Sequence, residues 1–257
     1  MSHAEDRRPP SRRIADDLRA RITRGELEPG AQLPSERELA QTHGTARNTA
    51  REAITILRNE GLVDVHHGKG AFVRKPTPLL RLGGRYSRKT RERTGLSPYR
   101  AEVIKQGRTP SVECRSIERV HPPEDVAERL GVATTTKSVV RRENWYFTDE
   151  QPVQVGVTYI PWTIAGGSVL ARKADTGPGS IYARFEELGH PIVRMREEIS
   201  ARIPTPDEAE GLAIPPGVPV IEVLHTSIDR DGTPFEVTRF VMRADLCGLD
   251  YAMPVED

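Results

Sequence analysis

Cysteine is nearly absent from this chain of 257 residues: Cys114 and Cys247 stand alone in separate segments. Two isolated thiols form neither a disulfide framework nor a metal pattern, and they read as ordinary buried or half-buried side chains. Long apolar runs are missing too, and nothing approaches the roughly 20 residues that a membrane span needs. The first ten residues are polar and lack the apolar stretch of a secretion signal, so no membrane is expected and the expected compartment is the cytoplasm. Aromatic residues make up only 5% of the chain and hydrophobic residues 36%. That supply is low but adequate for compact cores, and the length suits two modest domains or one large one.

Catalytic signatures are also wanting. The chain has no Ser/His/Asp context, no paired metal ligands and no phosphate-binding loop. The stretch Asp175 to Gly179 holds Gly-Pro-Gly but not the Lys-Ser/Thr of such a loop, and reads as a turn. His66 and His67 are adjacent without other ligand types nearby, so no metal and no cofactor is expected.

Net charge is almost nil, +1, but it is unevenly spread. Residues 1–95 carry twenty Lys and Arg against twelve Asp and Glu, whereas the remainder carries eighteen against twenty-five. One half therefore suits a polyanion and the other does not.

What is present gives an order of elements. Residues 1–12 read as a basic, disordered arm. A helix follows from Arg13, with Ile14, Leu18 and Ile22 on one stripe, ending at Gly25. Ser35 and Glu38 form a capping box for a second, short helix that stops near His43-Gly44. A third helix spans 46–60, with Ala50, Ile54 and Leu57 inward. Strands at 62–65 and 71–74 then flank the basic, glycine-rich tip 66–70. Short helix, tight turn, longer helix and hairpin is the order of a winged helix-turn-helix over residues 13–75.

Residues 76–98, with Pro76, Pro78, Gly83, Gly84 and a basic run, read as a linker, and Gly83-Gly84 as its hinge. From 99 to about 250 the texture is strand-rich. Strands are expected at 114–120, 138–147, 153–160, 193–203, 218–229 and 235–241, with helices at 123–130, 180–188 and 206–212. Thr148-Asp149-Glu150-Gln151 and Asp231-Gly232-Thr233 join neighbouring strands as hairpin turns do. The whole reads as α+β with an antiparallel sheet in the second half.

Several segments together resemble the GntR family of bacterial regulators. They are Gly25-x-Leu27-x-Pro29-Gly30-x-x-Leu33-Pro34-Ser35-Glu36-Arg37-x-Leu39-Ala40, then Arg47-Asn48-Thr49-Ala50-Arg51-Glu52-Ala53-Ile54 with Glu60-Gly61-Leu62-Val63, then Gly68-Lys69-Gly70-Ala71-Phe72-Val73. Ala46 stands where the family often has serine, and Thr45 is the alternative cap. The second half resembles the UTRA domain of the HutC subfamily, with a fold like that of chorismate lyase. This rests on Glu102-Val103-x-x-Gln106-Gly107-Arg108-x-Pro110, Pro152 to Pro161, Gly179-Ser180-Ile181-Tyr182, and Glu236-x-Thr238 with Arg243-x-Asp245. Length excludes the aminotransferase-fused branch of the family, and the strands disfavour its helical metal-binding branch.

The resemblance implies the site residues. Arg47 and Arg51 lie four apart at the start of the third helix, where base edges are read, and arginine meets guanine O6 and N7 with two N–H groups. Arg37 matches a further DNA-contacting arginine. Asn48 and Thr49 are expected at phosphates or through water. The wing residues His67, Gly68, Lys69 and Gly70 approach the backbone closely. For a small-molecule effector the resemblance implies Arg142, Asn144, Tyr146, Ser180, Ile181, Tyr182, Glu236 and Met242.

Ser180 could equally be a helix cap, and Glu236 a buried carboxylate paired with Arg243. Relatives that bind sugar phosphates carry arginines at the positions of Asn144 and Tyr146, a glutamate at Gly156 and a tyrosine at Met242. These departures point to a larger, less charged ligand in a pocket opened by Gly156. The expected protein is a homodimeric regulator that binds a double-stranded operator and is released as a repressor by its effector. Two rivals remain: a second half that only dimerises, and a DNA-tethered lyase-like enzyme.

Overall fold

The computed structural model describes residues 8–66, 68–74, 78–253 and 255. The chain divides after residue 77 into two compact units, with residues 214–218 grouped with the first.

The first unit starts with α1 (Pro10–Thr23), three residues before the expected Arg13. Proline suits the first helical turn, where its missing N–H has no partner to lose. Residues 10–12 are therefore helical rather than part of an arm, and residues 1–7 lie outside the described residues. The capping box of α2 (Glu36–Thr42) forms as expected: the Glu38 N–H donates to Ser35 Oγ at 3.2 Å, and the Ser35 N–H to Glu38 Oε2 at 2.7 Å. Helix α3 (Arg47–Asn59) has Ala46 at its N-cap and no side-chain cap, so Thr45 does not serve.

Ile14, Leu18, Leu39, Ala50, Ile54 and Leu57 converge in one apolar core with Val63 and Val73. The last two come from β1 (Val63–His66) and β2 (Gly70–Val73), an antiparallel hairpin. The stretch 30–33 runs along β2, with Gly30 N–H to Val73 O and Leu33 N–H to Ala71 O both at 2.8 Å.

The second unit starts earlier than the sequence suggested. Residues 78–98, expected as a linker, hold β3 (Leu79–Leu82) and α4 (Arg88–Thr94) and belong to this unit. Gly83-Gly84 lies inside it and is no hinge; the Gly83 N–H donates to Asp250 O at 2.9 Å. The segment misled because three of its arginines find carboxylates outside it. Arg81 pairs with Glu197, Arg85 with Glu102 and Arg91 with Glu186.

Then follow α5 (Pro98–Lys105), capped by Ser97 with proline in its first turn, β4 (Pro110–Val120), α6 (Glu124–Leu130), β5 (Val139–Thr148), β6 (Gln151–Pro161) and α7 (Trp162–Ala165). After a 3₁₀ turn at Val169–Ala171 come α8 (Ser180–Glu187), β7 (Arg194–Arg202), α9 (Pro206–Gly211), β8 (Val220–Ile228), β9 (Pro234–Arg243) and β10 (Cys247–Asp250). All six expected strands form, β4 from Pro110 rather than 114. They make one antiparallel sheet in the order β4-β5-β6-β9-β8-β7, while β3 and β10 form a separate parallel pair. Asp149 and Glu150 take positive φ, 49° and 67°, in the tight turn between β5 and β6, as two-residue hairpins require. Among the described residues, no helix is long and apolar enough to cross a membrane.

Replacing Ser35 by alanine should cost the first unit about 1 kcal/mol. Amide exchange in α1 to α3 should quicken correspondingly, while the sheet of the second unit is unchanged.

Candidate DNA-reading face and ligand cavity

Packing divides α3 into two faces. Ala50, Ala53, Ile54 and Leu57 are buried, whereas Arg47, Asn48 and Arg51 are exposed and Thr49 is half-buried. Arg37 is exposed on α2. Arg47 and Arg51 converge on one carboxylate: Arg47 Nε donates to Glu36 Oε2 at 2.8 Å, and Arg51 Nε to Glu36 Oε1 at 2.9 Å. Hydrogen bonds from Arg51, ahead of the opposing effect of burial and those from Arg47, hold the Glu36 carboxyl below its ordinary pKa.

At the wing, Gly68, Lys69 and Gly70 are exposed, and the Lys69 carbonyl accepts from Gln32 Nε2 at 2.8 Å. Gly70 has φ of 105°, a conformation that strains any side chain with a Cβ, so glycine suits this position. His67 lies outside the described residues. No group of three metal-ligating side chains occurs among the described residues.

The second unit holds a cavity of about 500 Å³. The sheet supplies Cys114, Arg142, Asn144, Tyr146, Thr158 and Phe240 to its wall, and α8 supplies Ser180, Ile181 and Tyr182. Six of the expected effector residues thus come together: Arg142, Asn144, Tyr146, Ser180, Ile181 and Tyr182. Glu236 and Met242 are not in this wall. Met242 is 2% exposed and packs with Val153, Val223 and Cys247. Glu236 is fully buried and accepts from Ser227 Oγ at 2.5 Å and from the Thr238 hydroxyl. Arg243 does not pair with it but with Asp245, at 2.8 Å.

Two further expectations are corrected. Gly179, with φ of 76°, is the N-cap of α8, and Ser180 is its first residue with φ of 55°, so Ser180 is no side-chain cap. Gly156 does not open the pocket. A Cβ there would lie 2.9 Å from the Phe240 ring and 3.1 Å from that of Tyr146, so these two rings occupy the space it leaves.

The register explains how one sheet face carries so much polarity. Arg142 pairs across to Thr158, Thr158 to Thr238, Thr238 to His225 and His225 to Glu197. These residues form a row along one face. Thr158 and Thr238 share a hydroxyl hydrogen bond of 2.7 Å. His225 Nδ1 donates to Glu197 Oε1 at 2.8 Å, and Arg81 Nη2 donates to the same oxygen at 2.5 Å. Tyr86 stacks on His225 at 4.7 Å and reaches the cavity wall.

At the other end of the row Arg142 is 1% exposed. Its Nη1 donates to Leu170 O at 2.6 Å and its Nη2 to Lys173 O at 3.0 Å. Its partners among the described residues are carbonyls and the Cys114 sulfur, with no carboxylate. Burial lowers the pKa of Arg142 and raises that of Cys114, so the thiol is not poised as a nucleophile.

Residues before β4 were missed by sequence reasoning. Arg85, Tyr86, Leu96, Ser97, Tyr99 and Arg100 all line the cavity. Three arginines, Arg85, Arg100 and Arg142, line it beside one carboxylate, Asp175, and Arg85 is already paired with Glu102 at 3.1 Å. One signal was available: four of the six tyrosines in an aromatic-poor chain, Tyr86, Tyr99, Tyr146 and Tyr182, gather here.

Residues 10–73 match the model of bacterial regulatory proteins of the gntR family, and residues 105–247 match the UTRA domain. The HTH-type transcriptional repressor NagR of Bacillus subtilis is 30% identical over 233 residues, which cover 90% of this chain and 89% of NagR. The chain belongs to the GntR family, in its UTRA-bearing HutC subfamily. The regulator Rv0792c of Mycobacterium tuberculosis is also 30% identical, over 96% of this chain and 86% of its own length.

A GntR-family regulator of known structure aligns over 97% of this chain and 99% of its own, with TM-score 0.65 and 25% identity. PhnF from Mycobacterium smegmatis shares the fold, with TM-score 0.59 and 22% identity over 95% of this chain and 100% of its own. This GntR protein is thus a transcriptional regulator with a UTRA ligand-binding domain. Arg85, Tyr86 and residues 95–100 of the cavity wall fall outside the stretch matched to UTRA.

The buried row should make the UTRA unit sensitive to acid. Burial alone would raise the Glu197 pKa, but the hydrogen bond from His225 and the charge of Arg81 outweigh it and hold the carboxyl well below the usual range. A depressed carboxyl contributes stability that is full above its unfolded pKa of about 4.3 and is lost as pH falls towards its folded value. The melting temperature of the second unit should therefore drop below about pH 5. Glu197→Gln should lower it at neutral pH and flatten that slope in calorimetry between pH 7 and 3.

Proposed function

We propose that this GntR protein is a repressor that binds a palindromic operator as a homodimer and leaves it when a small effector fills the UTRA cavity. The observation that carries the reading is Arg142, a buried guanidinium without a carboxylate partner among the described residues, set in the wall of a cavity of ligand size. A buried cation left with carbonyls gains most from a ligand that brings acceptors or negative charge. Asn144, Ser180, Ile181, Tyr146 and Tyr182 complete the proposed contacts. Glu236 acts from behind the wall, by holding the hydroxyls of Ser227 and Thr238. Repression agrees with the role for which the relative NagR is named, a transcriptional repressor.

Burial raises the pKa of the Cys114 thiol, which disfavours it as a nucleophile and supports a binding protein. Arg37, Arg47 and Arg51 read or grip the major groove, Asn48 and Thr49 hold phosphates, and the wing residues Gly68, Lys69 and Gly70 approach the backbone. Two-fold pairing supplies the second half-site that one winged helix cannot read.

Melting the full-length protein against a panel of small carboxylates, phosphates and sugars tests the sensor. An effector at 100 times its Kd should add about 2.7 kcal/mol and displace bound DNA, and Arg142→Met should abolish both effects. A panel member that stabilises the parent and Arg142→Met alike would place the site elsewhere.

Arg51→Ala should cost about 1–3 kcal/mol per site and relax base preference, while Lys69→Ala should weaken all DNA alike and reduce the salt slope by about one. Equal binding of both variants and the parent to selected and random DNA would overturn this docking. Light scattering tests the assembly, cut at residue 78 so that β3 and α4 stay with their partners. Residues 78–257 are expected to be dimeric and residues 1–75 monomeric.

A further inference from the structure

Two guanidinium groups on the recognition helix share one carboxylate from the helix before it. Arg47 and Arg51 are highly exposed, with side-chain accessibilities of 68% and 57%, whereas Glu36 is at 24%. The bonds are selective. Glu36 engages the Nε of Arg47, and the Nε and Nη2 of Arg51, the last at 3.1 Å. Both Nη groups of Arg47 and the Nη1 of Arg51 have no protein partner among the described residues. A guanidinium held along its Nε edge still offers the pair of N–H groups at its far end, and that pair can meet guanine O6 and N7 together.

We propose that Glu36 is a positioning residue for sequence reading, which fixes Arg47 and Arg51 by their Nε edges and leaves their terminal Nη pairs for guanine. This rests on the assignment of α3 as the DNA-reading helix. Long exposed arginines lose much rotamer freedom on docking, and a side chain already held loses less. The carboxylate also separates two like charges that lie one helical turn apart.

The alternative is that Glu36 merely offsets positive charge. The two roles predict opposite results. A carboxylate beside a polyanion opposes binding to every DNA sequence, so its removal by charge alone strengthens binding generally and leaves sequence preference intact. Removal of a positioning group weakens binding to the preferred sequence and spares the rest.

The test uses the full chain as parent, Glu36→Gln and Glu36→Asp. A randomised duplex pool is selected with the parent, and the enriched duplex and mixed-sequence DNA are then titrated with all three at one salt concentration. The ratio of the two affinities should fall about tenfold or more in Glu36→Gln, with mixed-sequence binding equal or tighter. Glu36→Asp keeps the charge but shortens the reach, and its ratio should fall as well. Pools selected with either variant should lose guanine enrichment. The Nε–H NMR signals of Arg47 and Arg51 should exchange slowly in the parent and fast in both variants.

An unchanged ratio in both variants overturns the proposal and leaves the DNA-reading helix in place. So does a changed preference at another base with the guanines retained, which would make Glu36 itself a base contact. A parent that enriches no motif overturns the reading of α3 and this proposal with it.

Discussion

The UTRA unit is organised around charge that has been taken out of water. Arg81 is 1% exposed, and its partners are Glu197 and Tyr86, with the Phe240 ring 4.5 Å below its guanidinium. Its Nε and Nη1 are buried without a hydrogen-bond partner among the described residues, so the Nη2 contacts must hold it, because a buried ion pair gains little net stability but is expensive to break on one side. The geometry around it follows from that demand. Glu197 and His225 must sit in register on β7 and β8, and β3 must lie where Arg81 reaches them. Tyr251 must close the remaining carboxylate oxygen, as its hydroxyl does. The cavity is what remains on the same sheet face once this cluster and the Arg142 cluster are built at its two sides.

The DNA-binding unit was legible in the sequence because its determinants are local. The stripe Ile14, Leu18 and Ile22, the Ser35–Glu38 box and the glycines of the wing each announce an element within a few residues. The UTRA sheet was legible for the same reason, through alternation and the turn at Asp149-Glu150. The segment 78–98 was not. Arg81, Arg85 and Arg91 look solvated when read alone, since nothing nearby in sequence shows that Glu197, Glu102 and Glu186 will meet them.

The residues expected at the effector divide by the same logic. Arg142, Asn144 and Tyr146 share a strand face, so finding one finds the others. Glu236 and Met242 lie on β9, and only the packing of neighbouring strands decides whether a residue there meets the cavity or the core. The misreading of Gly156 is of this kind. Absence of a side chain suggested open space, but Phe240 and Tyr146 had filled it.

The cavity wall is assembled from chain on both sides of residue 105, where the match to the UTRA domain begins. The module that encloses the cavity and the module recognisable by sequence are therefore not the same length. A chimera that joined another DNA-binding unit at residue 105 would discard Arg85, Tyr86 and Arg100 and open the cavity on one side. It would also strand Glu197 and Glu186 without their arginines, Arg81 and Arg91. Joined at residue 78, the graft carries the whole cavity wall with it. In exchanges between regulators of this architecture, the unit that is inherited intact must include the strand and helix that look like a tether.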